Sequence, residues 1–253
     1  SDIDPRTKIR YAAGTQRSTP DPATAPLGAR CGARINSLKC RHSVALASAE
    51  STVCGFVGGT DPDGSYAAAL SAMADRGPDS RELRLEAPVR VGFRRLSIID
   101  LRPSANQPML APDGASWIVF NGEIYGYREL RQSLLRRDHI FLTDSDTEVA
   151  LHAYLEWGPD FVERIDGMFA IVIWDARERK LRLYRDRPGI KPLYYYYDGR
   201  RFAFASELKA IETALKPAEL DIDGSACYDF LGYRYVPAPK TLYKRCFKLA
   251  PAH

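Results

Sequence analysis

The sequence predicts an α+β fold with antiparallel sheets. From Cys54 onward, short apolar runs come in blocks punctuated by turn residues, and amphipathic stretches form blocks of their own. The strict strand–helix–strand alternation of a doubly wound parallel sheet is missing.

Taken in order, Cys54-Gly55 opens the apolar run Phe56-Val57-Gly58-Gly59, a first strand. Residues 66–74 have helical spacing and are stopped by Gly77-Pro78. Residues 89–93 and 96–99 read as strands, as do 116–120, which end at the turn-like pair Asn121-Gly122. Residues 127–137 form a charged amphipathic helix. Asp146-Thr147-Glu148 opens another, running through Val149, Leu151, Tyr154 and Leu155 to Gly158, with an acidic first turn suited to the helix dipole. A meander of strands follows at 168–174, 181–185, 193–197 and 201–204, joined by turns at 175–179 and 198–200. Ser206 to Lys209 begins another helix.

Composition narrows the function classes. With 253 residues, 45% hydrophobic and 27% charged, the chain holds one substantial domain with extra segments, or two small ones. A net charge of +4 without a dense basic block gives no basis for nucleic-acid binding. No apolar run approaches the roughly 18–20 residues of a membrane helix. Five irregularly spaced cysteines argue against a disulfide framework, and four scattered histidines show no metal-site spacing. A reducing cytoplasm is the expected location. Residues 1–53 differ from the rest: rich in Ser, Thr, Ala, Pro and Arg, with the loop-like Thr19-Pro20-Asp21-Pro22, they are expected to be disordered. An organelle transit peptide is the minor alternative.

The chemistry begins at Cys54. A nucleophilic thiol needs a base, and no histidine lies near it in the sequence. If Cys54 were the first residue of a mature chain, its own α-amine could take the proton. Amine and thiol titrate near ~8 and ~8.5 respectively, close enough to exchange a proton near neutral pH. A buried structural cysteine is the plainer reading of that residue alone. Four further phrases need a joint explanation: Arg76-Gly77-Pro78-Asp79, Arg94-Arg95 before Leu96, Asn121-Gly122-Glu123, and Ser145-Asp146-Thr147-Glu148. Singly, these could be a charged turn, surface cations, a hairpin turn and an N-cap. Together they offer a nucleophile, a guanidinium fork for an α-carboxylate, carboxylates for an α-ammonium, and an amide to hold an oxyanion.

In these phrases the chain from residue 54 to about 250 resembles the glutaminase half of glutamine-hydrolysing asparagine synthetases, class II amidotransferases of the N-terminal-nucleophile hydrolase superfamily. The phrases CGFVGG, RGPDS, RRLSIIDL, NQPM, FNGEIYGYRELR, SDTEV, GMFAIVIWD, RDRPGIKPLYYY and FASELKAI carry it, in order. The resemblance implies a four-layer α-β-β-α sandwich of two antiparallel sheets. It assigns Cys54 as nucleophile and Asn121 with the Gly122 N–H as oxyanion hole. Arg95 would bind the glutamine α-carboxylate, and Glu123 and Asp146 the α-ammonium. The chain departs from the family phrases at Asp75, Phe93, Asn106, Gly126 and Pro188, none of them assigned to glutamine chemistry.

The resemblance also frames the domain organisation. Residues 54–215 would be the glutaminase domain, and 216–253, with YVPAPK and KLAPAH, a linker leading into a synthetase domain. That domain's ATP-binding loop is not in this sequence, so ATP and magnesium would belong to the missing part. This chain itself calls for no cofactor and no metal. Its expected partners are glutamine and the C-terminal synthetase domain, with a homodimer left open. Cys54 is internal here, which would remove the α-amine. Val53 offers a resolution, because a valine codon can serve as a bacterial start, making 1–53 an over-extended reading of upstream sequence; proteolytic removal is the second route. A truncated glutamine-binding domain with an unprocessed cysteine is the rival reading.

Overall fold

A computed structural model describes residues 53–216 and 220–253. The disorder expected for 1–53 therefore lies, Val53 apart, outside the described residues. The strands form two antiparallel sheets. The larger has six strands: β1 (Gly55–Gly59), β2 (Ser80–Arg84), β3 (Arg90–Arg95), β8 (Tyr194–Tyr197), β9 (Phe202–Ala205) and β10 (Cys246–Lys248), in the order β10-β8-β9-β1-β3-β2. The smaller has four: β4 (Met109–Leu110), β5 (Trp117–Tyr125), β6 (Asp166–Asp175) and β7 (Lys180–Arg185), in sequence order. The helices are α1 (Tyr66–Ala72), α2 (Tyr127–Leu135), α3 (Asp146–Trp157), α4 (Leu208–Leu215) and α5 (Gly224–Tyr233).

Side-chain alternation along the strands creates the layers. Successive residues point to opposite faces of a sheet, and here both faces of the central strands are apolar. In β5, Trp117 and Val119 enter the core between the sheets, while Ile118 and Phe120 enter the core beneath α3. β6 repeats this, with Ala170 and Val172 between the sheets and Ile171 and Ile173 under the helix. In the larger sheet, Phe56, Val91, Phe93 and Phe204 fill the inter-sheet core. Val57, Ala203 and Ala205 face Leu70 of α1 and Ile211 of α4 on the other side. Three apolar cores separating four layers make the α-β-β-α sandwich implied by the resemblance.

Four expectations are corrected. Residues 96–99 are a loop, not a strand: Ser97 N–H donates to Asp79 Oδ2 at 2.6 Å instead of to a ladder, and Ile98 is 74% exposed. Asn121-Gly122 is not a turn. β5 runs through it, paired with β6 as Asn121↔Ala170 and Gly122↔Phe169, and a Cβ on Gly122 would lie 2.1 Å from Met168 O. The pair serves a close strand approach here, not a reversal of the chain. The four strands from 168 to 204 are not one meander, because β6 and β7 belong to the smaller sheet and β8 and β9 to the larger. Finally, the segment 216–253, expected as linker, returns β10 to pair with β8 (Phe247↔Tyr195), so the sheet draws on residues past 215.

Phe204 is fully buried between the sheets and meets Phe56 with ring centroids 6.1 Å apart. Phe204→Ala should cost about 3–5 kcal/mol, visible as a lowered midpoint in urea unfolding. A change below about 1 kcal/mol would mean the inter-sheet core is not packed as described.

Candidate active site

Cys54 stands one residue before β1. Continuing the register Gly55↔Arg94 places it opposite Arg95, at the end of β3. The strand then gives way to the 96–99 loop, whose first residue contacts the thiol. Leu96 N–H donates to Sγ at 3.4 Å, and the thiol can donate to Leu96 O at 3.6 Å. Burial pushes the Cys54 thiol above its ordinary range. The Leu96 bond and the charges of Arg95 and Arg76 pull the other way, and Asp146 adds to the rise. Arg95 and Asp146, 51 residues apart in sequence, thus both act on the same sulfur.

Arg95 is 6% exposed. Its Nη1 donates to Arg102 O at 3.0 Å and to Asn106 Oδ1 at 2.8 Å, and its Nη2 donates to Asp100 O. A guanidinium carries five N–H donors, so among the described residues these three bonds leave two for a carboxylate. A cavity of about 380 Å³ opens beside it, lined by Asp79, Ser80, Arg95, Ser97, Leu101, Pro103 and Asn106. Neither Cys54 nor Asp146 lines this cavity, which marks only the Arg95 end of the site. Asn106, a departure from the family phrases, proves to touch the site directly through Arg95.

Asp146 is the first residue of α3, but the N-cap is Ser145, whose Oγ accepts from Thr147 N–H at 3.1 Å. With the cap supplied by its neighbour, the Asp146 carboxylate turns to β5 and accepts from Ile124 N–H at 3.1 Å. It is 4% exposed, and burial raises its pKa to about 6 against the pull of its backbone hydrogen bonds, with the charge of Glu123 adding to the rise. Glu123 itself is exposed. Asn121, on the same strand, is 1% exposed, and its Nδ2 is buried without a hydrogen-bond partner. A buried orphan donor is costly, and such a group is what an oxyanion would satisfy.

Several supporting residues went unassigned in the sequence. Gln107 caps the site-bearing strand from the side: its Oε1 accepts from Phe120 N–H at 2.6 Å, and its Nε2 donates to Phe120 O at 3.1 Å and to Thr147 Oγ1 at 3.2 Å. One amide thereby ties the residue before Asn121 to the residue after Asp146. Asp100, 6% exposed, binds the Arg102 guanidinium and accepts from Asp144 N–H at 2.9 Å, stapling the 96–102 loop to the approach of α3. Arg102 holds the Asp100 carboxyl well below the usual carboxylate range. Glu148 folds back to accept from Leu142 N–H and Thr143 N–H, at 2.8 and 2.7 Å, fixing the same approach. NQPM and SDTEV were visible as phrases, but nothing in their spacing revealed these bonds. Of the described histidines, His139 contacts both His152 and Glu156, and His253 contacts Pro251 O.

A family model, "Glutamine amidotransferase domain", matches residues 51–253. The chain belongs to that family. Asparagine synthetase [glutamine-hydrolyzing] 1 of Bacillus subtilis (strain 168) is 41% identical over 179 residues, covering 71% of this chain and 28% of the relative. Asparagine synthetase [glutamine-hydrolyzing] 2 of the same organism is 47% identical over 146 residues, covering 56% and 19%. The chain thus matches less than a third of the length of these relatives. Among solved structures, glutamine phosphoribosylpyrophosphate amidotransferase from B. subtilis matches with TM-score 0.52 and 18% identity, over 63% of this chain and 43% of that one. That likeness extends to the fold. The resemblance read from the sequence phrases stands, and so does the α+β sandwich. Among the described residues no helix is long and apolar enough to cross a membrane.

The raised pKa of Asp146 fixes the sign of a pH effect. A carboxyl whose folded pKa exceeds its unfolded value favours the folded state while protonated, and that contribution is lost as pH rises from about 4 through about 6. Asp146→Asn keeps an oxygen acceptor for Ile124 N–H and carries no charge. Its Tm relative to the parent should climb between pH 4 and pH 7. A constant Tm difference across that range would show that Asp146 titrates normally.

Proposed function

We propose that this domain hydrolyses glutamine to glutamate and ammonia, with Cys54 as nucleophile. The observation that carries the reading is the convergence on one half-buried sulfur of two groups suited to an amino acid's two charges. Arg95 offers paired donors to the α-carboxylate, while Asp146 and Glu123 offer negative charge to the α-ammonium. Binding the ammonium would draw the Asp146 pKa back down, so free-enzyme kcat/KM should fall below about pH 6, where the carboxyl is protonated.

In the proposed mechanism the Cys54 thiolate attacks the γ-amide carbon. The Asn121 side chain and the Gly122 N–H hold the oxyanion, and the proton passes through the α-amine of a mature Cys54 to the leaving ammonia. Water then hydrolyses the thioester to release glutamate. The upward shift of the thiol supports the need for a base at the sulfur, and the described histidines are engaged elsewhere. Losing one oxyanion donor typically costs roughly 10²–10³ in rate, so Asn121→Ala should fall in that range with the fold intact.

The relatives' names extend the proposal to asparagine synthesis, with the ammonia passed to aspartate by an ATP-using synthetase domain of the same protein. A second reading rests on the Val53–Cys54 peptide bond, which turns the amine into an amide: a domain that binds glutamine without hydrolysing it. Glutaminase rates of the full chain and of a chain beginning at Cys54, with both N-termini verified by mass spectrometry, separate the two. Activity confined to the second, and abolished by Cys54→Ala, supports the amine as base. Equal rates would remove the N-terminal nucleophile from the mechanism.

Arg95→Lys keeps the charge and loses the fork. Charge-assisted hydrogen bonds are worth roughly 1.5–3 kcal/mol, so KM for glutamine should rise about ten- to hundredfold. An unchanged KM would relegate Arg95 to holding the 96–102 loop.

A further inference from the structure

Cys54 is gripped from behind by groups that the proposed mechanism does not use. The Arg76 Nε donates to the Cys54 carbonyl oxygen at 3.1 Å, and its Nη1 meets Glu207 Oε1 at 3.0 Å. The Arg76 side chain is 9% exposed and that of Glu207 23%. Glycine at the next position makes the approach possible: a Cβ on Gly55 would lie 3.2 Å from both Cδ and Nε of Arg76. The preceding residue of the same turn adds two further bonds. Ser206 Oγ accepts from Phe56 N–H at 3.1 Å, and Ser206 N–H donates to Phe56 O at 2.9 Å. The pair Ser206-Glu207, at the end of β9, thus holds Phe56 directly and Cys54 through Arg76.

We propose that Glu207 is a positioning residue for the nucleophile, acting through Arg76 to fix the Cys54 backbone and to balance the arginine's charge beside the sulfur. The inference rests on the reading of Cys54 as nucleophile and adds to it a residue that touches neither substrate nor sulfur. A backbone carbonyl held by a buried guanidinium cannot rotate, and rotation about that peptide would swing the thiol away from Leu96. An unheld carbonyl would leave the nucleophile to sample orientations in which it cannot attack, lowering turnover more than substrate binding. The charge argument runs in parallel. Arg76 pulls the thiol toward ionisation, and Glu207, ion-paired with that guanidinium, would offset part of that pull. Removing the Glu207 charge should therefore move the thiol titration to lower pH. The other ionisable groups around Glu207 are Lys209, with Nζ 3.0 Å from Oε2, and Asp75, 4.0 Å from that same Nζ. Asp75 is 92% exposed and screened by water.

The test uses the chain beginning at Cys54, which carries the proposed α-amine base, as wild type, Glu207→Ala and Glu207→Gln. Two quantities are measured: the pH dependence of Cys54 alkylation by iodoacetamide, read by peptide mass spectrometry, and kcat and KM for glutamine. Glu207→Ala should lower kcat roughly ten- to hundredfold with KM within about twofold. Glu207→Gln, whose Oε1 still accepts from Arg76, should recover part of that rate. Both variants should shift the alkylation midpoint to lower pH. Wild-type kcat and an unmoved midpoint in Glu207→Ala would overturn the proposal and leave a structural ion pair. If Glu207→Ala fails to fold, the midpoint of Glu207→Gln decides the matter. Absence of glutaminase activity in all three proteins would defeat the proposed function alone, since the alkylation midpoints report on Glu207 independently.

Discussion

The structure depends on burying both faces of two antiparallel sheets at once. Most antiparallel sheets leave one face to water and alternate apolar with polar residues. Here the central strands have no solvent face, so β5 and β6 are apolar at every position from Trp117 to Phe120 and from Phe169 to Trp174. With no polar side to spare, the polar chemistry is pushed to the strand ends. Cys54 precedes β1, Arg95 closes β3, Asn121 begins the polar end of β5, and Asp146 starts the helix laid over it. The candidate site lies where four elements run out of apolar sequence together.

That placement explains why so many charges are buried without being scattered. Arg76, Arg95, Asp100 and Asp146 are each under 9% exposed. Burial of an unpaired charge is expensive, and each of the first three is held by backbone or opposite-charge partners. Asp146 has backbone donors such as Ile124 N–H but no cationic partner among the described residues: burial, with the charge of Glu123, leaves it under-compensated, and its pKa rises. A site that strains one acid upward while holding Asp100 far down keeps its scaffold charged and leaves Asp146 responsive to pH.

Much of this was legible in the sequence, for physical reasons that differ by element. α3 was readable because an acidic first turn, a 3.6-residue pattern and Gly158 all agree. The central strands were readable because β-branched and aromatic runs have few other uses. Asn121-Gly122 misled because its local preference for a turn was overridden by pairing with β6, where a glycine is needed for the approach to Met168 O. The 96–99 run misled because apolar residues can be spent on an exposed loop, as Ile98 is. The site residues came from motif order rather than pattern, and the residues that hold them did not: the Gln107 bridge and the Arg76–Glu207 pair join positions 40 and 131 apart. No local period encodes contacts of that span.

The pairing of β1 with β9 has a temporal side. Val57 opposes Ala205, and Phe56 is bonded to Ser206, 150 residues away. As the chain leaves the ribosome, β5, β6 and β7 can zip into the smaller sheet from neighbouring segments, while β1 can pair early with β3 but must wait for β9. Pairings this distant are slow to close and keep their apolar strands uncovered meanwhile. The strand behind the proposed nucleophile is thus held on one side early and closed on the other only once β9 has been made, so the candidate site acquires its shape late.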